Sequence, residues 1–376
     1  MSTLTDEARQ HRAAGGQAIA RLTPLADVLA ALDAVGAVAP TMVDPAAAVP
    51  RVLAADIVAP ALPPRPVALI DGVAVRAEET RDAGGYASAP LSLAVPVDAG
   101  DPLPDGADAV AAPETIGMTA TGAEAHAAVA PGDGVLAAGG DCAEGAVLRT
   151  AGALLRPADG AVLAAAAIRQ VSIRAPKLVL AAARKDAGAA AILRMVAQDI
   201  RARGGDVAIL DPGAVDAAFA HAPSHAVVTV GGTGTGRSDA SILTLAAAGR
   251  VVAHGIALAP GGTAALGFVG ARPVLMLPGR LDGALAAWLA IGRPLLARLT
   301  GAAEDRPASA VLTRKIASTI GIADVVPVRC AGGRAEPLAA QVLPLSALAQ
   351  ADGWVLVPPE SEGHPAGAPV EVRAWL

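Results

Sequence analysis

The chain has 376 residues, of which 53% are hydrophobic but only 2% aromatic, and a formal net charge of −6. That length supports several domains around a sizeable core, while the acidic balance and the shortage of rings exclude a basic nucleic-acid footprint and base-stacking platforms. Cys142 and Cys330 lie far apart and in no CxxC, which excludes a disulfide scaffold or zinc ribbon and fits a reducing, cytoplasmic setting.

The first 17 residues contain no apolar run of the secretory type. "TPLADVLAALDAVG" reads as a helix with Thr23 as N-cap, Pro24 at the first helical position, and Leu25, Val28, Leu29 and Leu32 on one face. "APALPPRPVALIDG" is too proline-rich for helix or sheet interior and reads as an extended connector. Short β-like pieces broken by Pro, Gly and Asp follow to about Glu144, and "AGALLRPADGAVLAAAAIRQV" is again helical.

From Lys177 the pattern changes. Apolar runs "KLVLAAA", "DVAIL", "AVVTV" and "PVLML" alternate with the helical "AAILRMVAQDIRARGG" and "RLDGALAAWLAIGRPLLARL". Strands this continuously apolar predict a parallel sheet covered on both faces. The longest uncharged run, Val251 to Ala271, is broken at Pro260 and predicts no membrane span. After Arg306 the text returns to β-like pieces. The expected architecture is multidomain α/β: a helical linker domain (16–58 plus 145–175), a small β domain (59–144), a doubly wound parallel α/β domain (176–304) and a C-terminal barrel-like β domain (305–376).

The most informative stretch is "AVVTVGGTGTGRSD", where a strand gives way to a Gly/Thr loop ahead of a helix. It lacks the third glycine of a dinucleotide fingerprint and the GK[ST] of a Walker A loop. Two readings stay open: bare N–H groups and a helix N-terminus receiving an anion, or a structural turn in which Ser238 or Asp239 caps the helix. In a parallel sheet ligands bind beyond the carboxyl ends of the strands. Three such ends carry loops here: "ARKDAG", "GGTGTGRSD" and "LPGR". Asp186 and Asp239 would face one crevice, and paired carboxylates beside an anion call for a divalent cation, most simply Mg²⁺. His221 and His225 are separated by Pro223 and make a poor zinc pair; His254 reads as a satisfied core histidine.

Taken together, the motifs resemble the molybdopterin molybdenumtransferases, the family of MoeA and the gephyrin E-domain, nearly end to end. "ALIDGVAVR" resembles S-A-M-D-G-Y-A-V-R, with Asp71 as its aspartate; "AGDPLPDGADAVAAPE" resembles T-G-x-x-x-P-x-G-A-D-A-V-x-x-x-E; "AGGDC" resembles R-G-E-D-I, giving Asp141. "GGTGTGRSD" resembles G-G-V-S-V-G-x-x-D, and "APGGT" and "LPGRL" resemble K-P-G-K-P and L-P-G-N-P. The resemblance implies a homodimer whose site is shared between subunits, so that Asp71 of one chain approaches Asp239 of the other. It also implies insertion of molybdate into adenylylated molybdopterin with release of AMP. The implied catalytic residues are Asp71, Asp141, Asp186 and Asp239, with Asp186 and Asp239 on the metal. The anionic pterin–phosphate end would lie against Gly231, Gly232, Thr233, Gly234, Thr235, Gly236, Arg237, Pro260, Gly261, Pro278, Gly279 and Arg280. Other cofactor-assembly proteins or a molybdoenzyme are further expected partners; nucleic acid and membrane are not.

The chain departs from the pattern. Ala99 replaces the Thr of T-G, Asp186 the glutamate of T-G-D-E-L, Ala259 and Gly262 the two lysines, and Arg280 the Asn of L-P-G-N-P. The same loops carry cations instead: Arg184, Lys185, Arg237 and Arg280. The alternative function is therefore a catalytically impaired paralogue that binds molybdopterin as carrier, insertion chaperone or scaffold.

Overall fold

The computed structural model describes residues 17–376 apart from 222 and 304. The chain forms two compact units: one comprises the segments up to residue 55, 151–160 and 170–376, and the other comprises 56–150 and 161–169.

In the larger unit, α1 (Leu25–Ala31) buries Leu25 and Val28, with Leu32 buried just beyond, as the apolar spacing predicts. Its cap differs from expectation. Pro24 occupies the N-cap position, and no side chain caps the helix. Thr23 is committed elsewhere: its N–H donates to Gly255 O at 2.9 Å and its carbonyl accepts from Ala257 N at 2.8 Å. Strands β1 (Thr41–Val43) and β2 (Val52–Leu53) flank β3 (Val171–Arg174) in a small antiparallel sheet.

The main sheet sets side by side, in order, Asp206–Ile209, Lys177–Ala182, Ala226–Val230, Arg272–Leu277, Ala265–Val269 and Arg250–His254. Strands β4 (Lys177–Ala182), β5 (Asp206–Ile209), β6 (Ala226–Val230) and β10 (Arg272–Leu277) are parallel. The remaining strands, β7 (Arg250–His254) and β9 (Ala265–Val269), extend the sheet antiparallel past β10. Side-chain alternation divides the core between the faces. Leu178, Leu180, Val228, Val230, Leu275 and Leu277 pack on one side with Ile192, Val196 and Ile200 of α2 (Ala187–Ala202). Val179, Ala181, Val227, Val274 and Met276 pack on the other with Val215 and Phe219 of α3 (Val215–Ala220) and Ile242 and Leu245 of α4 (Ser241–Ala248). Residues 281–300 are helical throughout: α5 (Leu281–Ala287), a π turn (Trp288–Gly292) and α6 (Arg293–Thr300).

The C-terminal strands β11 (Ala308–Leu312), β12 (Ala323–Ala331), β13 (Arg334–Pro337), β14 (Gly353–Val357) and β15 (Pro369–Ala374) close into a five-stranded barrel through the β12–β14 pairing. Its interior is lined by Leu312, Val326, Val328, Val355 and Val372. Val325 and Trp354 instead join the core of the α/β domain. The short strand β8 (Leu258–Ala259) runs parallel to β12, with Ala259 opposite Asp324.

The smaller unit contains two three-stranded sheets. One sets Gly72–Val75 between Val95–Val97 and Ala109–Ala111; the other sets Gly122–Ala125 between Ala89–Pro90 and Ile116–Thr119. Its cores are small, built from Ala68, Ala74, Val97 and Val110, and from Val75, Ala77, Ala109 and Ala111. Among the described residues no helix is long and apolar enough to cross a membrane.

Candidate functional site

Strands β4, β6 and β10 end level with one another: Ala182 pairs with Val230, and Val230 with Leu277. The loops leaving these ends therefore emerge side by side at the carboxyl edge of the sheet, where they form a cleft of about 690 Å³. Arg184 and Asp186 come from the first loop, Gly231 to Gly234 and Asp239 from the second, and Pro278, Gly279 and Arg280 from the third. Pro260 to Thr263 supply another wall, and Gln341 and Val342 reach in from the C-terminal domain.

The Gly loop has a defined internal structure. Gly232 adopts φ +71°, and a Cβ there would stand 2.1 Å from Ser241 Oγ, so only glycine fits. Asp239 turns back onto the loop, its Oδ2 accepting the Gly236 N–H at 3.0 Å; side chains at Gly234 or Gly236 would collide with that carboxylate. Helix α4 begins at Ser241 with Ala240 as N-cap and no side-chain cap. The helix-cap reading of Ser238 and Asp239 is thereby overturned. Asp239 closes the loop, and Ser238 Oγ accepts from Arg184. Among the described residues, the N–H groups of Gly232, Thr233 and Gly234 meet no protein acceptor.

Two residues hold this loop from elsewhere in the chain, and a third lines the cleft beside it. Gln17, 4% exposed, donates from Nε2 to the carbonyls of Gly232 (2.8 Å) and Gly234 (2.5 Å), while its Oε1 accepts from Ile242 N at 3.1 Å. His254 Nε2 meets Thr233 O at 2.9 Å; it is half-buried and satisfied, but its partner is the loop rather than the core. Asp282, 7% exposed, lines the cleft and accepts from Gly283 N at 2.8 Å. Nothing in the local pattern marks Gln17, since its partners lie more than 200 residues away. Asp282, three positions past "LPG", could have been found by asking which carboxylate faces Arg280.

Two of the cations, Arg184 and Arg280, are paired in place. Arg184 Nη2 stands 3.6 Å from Asp239 Oδ1, and Arg280 makes two 3.2 Å contacts to the carboxylate of Asp282. Burial would raise the Asp282 pKa, but Arg280 and the N–H groups of Gly283 and Leu343 hold it below the ordinary carboxylate value. Asp186 N-caps α2, its Oδ1 accepting from Ala189 N at 2.7 Å. Thr235, Gly236 and Arg237 are exposed and do not line the cleft. In the smaller unit, Asp71 precedes its sheet and accepts from Ala99 N at 2.8 Å, which brings together the two motifs that carry these residues. Asp141 is exposed, its N–H donating to Leu62 O at 2.9 Å. Among the described residues, no group of three or more His, Cys, Asp or Glu is placed to hold a metal on its own.

A doubly wound α/β domain with a glycine-lined cleft at its strand ends, joined to a small barrel, defines the class: a multidomain α/β protein whose candidate site lies at the carboxyl edge of a parallel sheet. Residues 17–167 match the MoeA N-terminal region (domains I and II), 178–298 the probable molybdopterin binding domain, and 309–375 the MoeA C-terminal region (domain IV). The chain belongs to the MoeA family of molybdenum cofactor biosynthesis. The crystal structure of the molybdopterin biosynthesis MoeA protein from Pyrococcus horikoshii superposes with a TM-score of 0.76 at 25% identity, covering 94% of this chain and 99% of that one. A molybdenum cofactor biosynthesis protein from Pyrococcus furiosus shares the fold (TM-score 0.59, 20% identity, 94% and 100% covered). A Methanocaldococcus jannaschii protein assigned to molybdopterin biosynthesis is 26% identical, over 88% of this chain and 91% of its own.

Proposed function

We propose that the cleft binds adenylylated molybdopterin and that the protein inserts molybdate into it with release of AMP. The observation that carries this reading is the trio of N–H groups at Gly232, Thr233 and Gly234 inside the cleft, which meet no acceptor among the described residues. Main-chain donors presented by a glycine loop suit phosphate oxygens, because no side chain blocks close approach. Arg184 and Arg280 flank the loop and add bidentate donors once a phosphate competes with their carboxylate partners.

Asp186 and Asp239 both line the cleft, and each has one carboxylate oxygen already fixed by a main-chain N–H. Two oriented carboxylates fit Mg²⁺, which is ordinarily held by one or two such groups together with waters and substrate phosphates. When bound, the ion would neutralise charge on the phosphoanhydride that is cleaved. The protein's own part is to orient that anhydride with the Gly loop and to hold the leaving AMP phosphate beside Arg280. We place the protein in a homodimer, with Asp71 of one protomer completing the site of its partner; the family's shared site and the exposure of Asp71 support this arrangement.

One observation favours a second reading, binding without turnover. Among the described residues, both arginines of the cleft are already neutralised by Asp239 and Asp282, and no lysine lines it. Incubation with adenylylated molybdopterin, molybdate and Mg²⁺ separates the two. AMP release in step with molybdenum cofactor formation is the expected result; tight binding with no AMP would leave the protein a carrier or insertion chaperone.

A further inference from the structure

Gln341 is an exposed, non-glycine residue at φ +63°, and it stands on the rim of the cleft next to Val342. A left-handed backbone is costly for a residue with a Cβ and persists only where the surroundings impose it. Two contacts do so. The Gln341 side chain donates from Nε2 to Thr319 Oγ1 at 3.2 Å, and its main-chain N–H donates to Asp324 Oδ1 at 3.4 Å. Asp324 lies on β12, fully buried, directly opposite Ala259 of β8. Ala259 leads into Pro260 and Gly261, another wall of the same cleft. One buried carboxyl thus stands behind two walls of the cleft without lining it.

We infer that Asp324 is a positioning residue that fixes the Gln341–Val342 rim, and through it how tightly the cleft grips its ligand. The inference rests on the reading of the cleft as the pterin–phosphate site. Asp324 makes no ion pair with any described residue, and its Oδ2 is buried without a partner. The Ser318 hydroxyl is near but is likewise left without a hydrogen bond of ordinary geometry. An uncompensated buried carboxylate is unfavourable. A neutral acid would not be: one oxygen accepts from Gln341, and the other, if protonated, would have the Ser318 hydroxyl as its nearby partner. Burial, opposed only by these two hydrogen-bonding groups, pushes the Asp324 carboxyl above its ordinary value. An amide has nearly the same shape as that neutral acid and likewise places one acceptor oxygen beside a donor group.

The test compares Asp324→Asn with Asp324→Ala in the full chain, reading hydrogen exchange at the amides of 341–343 without ligand and then the affinity for molybdopterin. Asp324→Asn should match the wild type in both. Asp324→Ala should speed exchange at these amides by about tenfold or more and weaken molybdopterin binding by about fivefold or more. Unchanged exchange in Asp324→Ala overturns the inference, as does faster exchange with unchanged affinity. Should Asp324→Ala fail to fold, Asp324→Asn decides alone: a loosened rim or a lowered Tm in the amide variant shows that the charge, not the neutral acid, was needed. A wild type that binds no molybdopterin sinks the reading of the cleft, and the exchange measurement still decides whether Asp324 holds the rim.

Discussion

Arg184 and Asp239 face each other across two of the three strand-end loops, 3.6 Å apart, while the other oxygen of Asp239 closes the Gly loop through Gly236 N. The carboxylate therefore has a geometric task and an electrostatic one, and substitution separates them. Asn retains an oxygen for the Gly236 N–H but has no charge for Arg184 or for a metal. An exposed pair of this kind contributes at most about 1 kcal/mol, so Asp239→Asn should melt within a few degrees of the wild type. Its metal-dependent AMP release should fall by about 100-fold or more. Wild-type release would reduce Asp239 to a loop closer.

Two glycines of the cleft should respond in opposite ways to a methyl group. At Gly232 the left-handed φ and the 2.1 Å approach to Ser241 Oγ leave no room, so Gly232→Ala should cost about 1–3 kcal/mol and be read as a lowered denaturation midpoint. At Gly279 the added Cβ would come no nearer than 3.5 Å to Gly231 Cα. Gly279→Ala should keep its stability but crowd the ligand, raising the Kd for molybdopterin several-fold. A stable Gly232→Ala protein would mean that the loop can relax.

Arg237 and Arg280 looked equivalent in sequence and are not equivalent in space. Arg280 lines the cleft and Arg237 does not. Arg237→Ala should leave ligand affinity unchanged, whereas Arg280→Ala should weaken it by about threefold to tenfold, the modest effect expected of a solvent-screened charge. Equal affinity in both variants, measured at low and high salt, would return Arg280 to the surface.

Stability of the larger unit should depend on Asp199. It accepts from Trp288 Nε1 at 2.7 Å and from two Arg293 nitrogens at 2.9 Å, and Arg293 in turn donates to the carbonyls of Ala374 and Trp375. The site joins α2, the π turn and the C-terminus. Burial alone would raise the Asp199 pKa, but Arg293, Trp288 and Arg203 overcome it and hold the group below its ordinary value. A depressed folded-state pKa contributes stability above the unfolded value, near 4, that is lost as pH falls through the folded one. Tm should therefore drop as pH falls below about 4, and this part of the drop should vanish in Asp199→Asn. Asp199→Ala, which strands Arg293, should cost about 3–5 kcal/mol at neutral pH.

The strands whose ends build the cleft were legible because parallel strands buried on both faces are apolar at every position, and "KLVLAAA", "AVVTV" and "PVLML" admit no other use. The antiparallel pair β7 and β9 was not, because "RVVAHG" and "ALGFV" are short, glycine-marked and no more apolar than their surroundings. Thr23 and Asp239 show the limit of local rules. Both satisfy the composition of a helix cap, and both are claimed by partners distant in sequence or by their own loop. The strand-end contributors to the cleft followed from pattern. Thr263, Gln341 and Val342 did not, because each reaches the cleft through tertiary packing, and neither did Gln17, which holds the Gly loop from more than 200 residues away.

Gln17 meets the carbonyls of Gly232 and Gly234 across separations of 215 and 217 residues. Contacts of such range form late, since the intervening chain must first be brought together. During synthesis the N-terminal segment leaves the ribosome long before its loop exists, and most of the protein is made between them. The Gly loop is then among the last parts to become rigid, and a nascent chain presents no finished cleft before its sheet is complete.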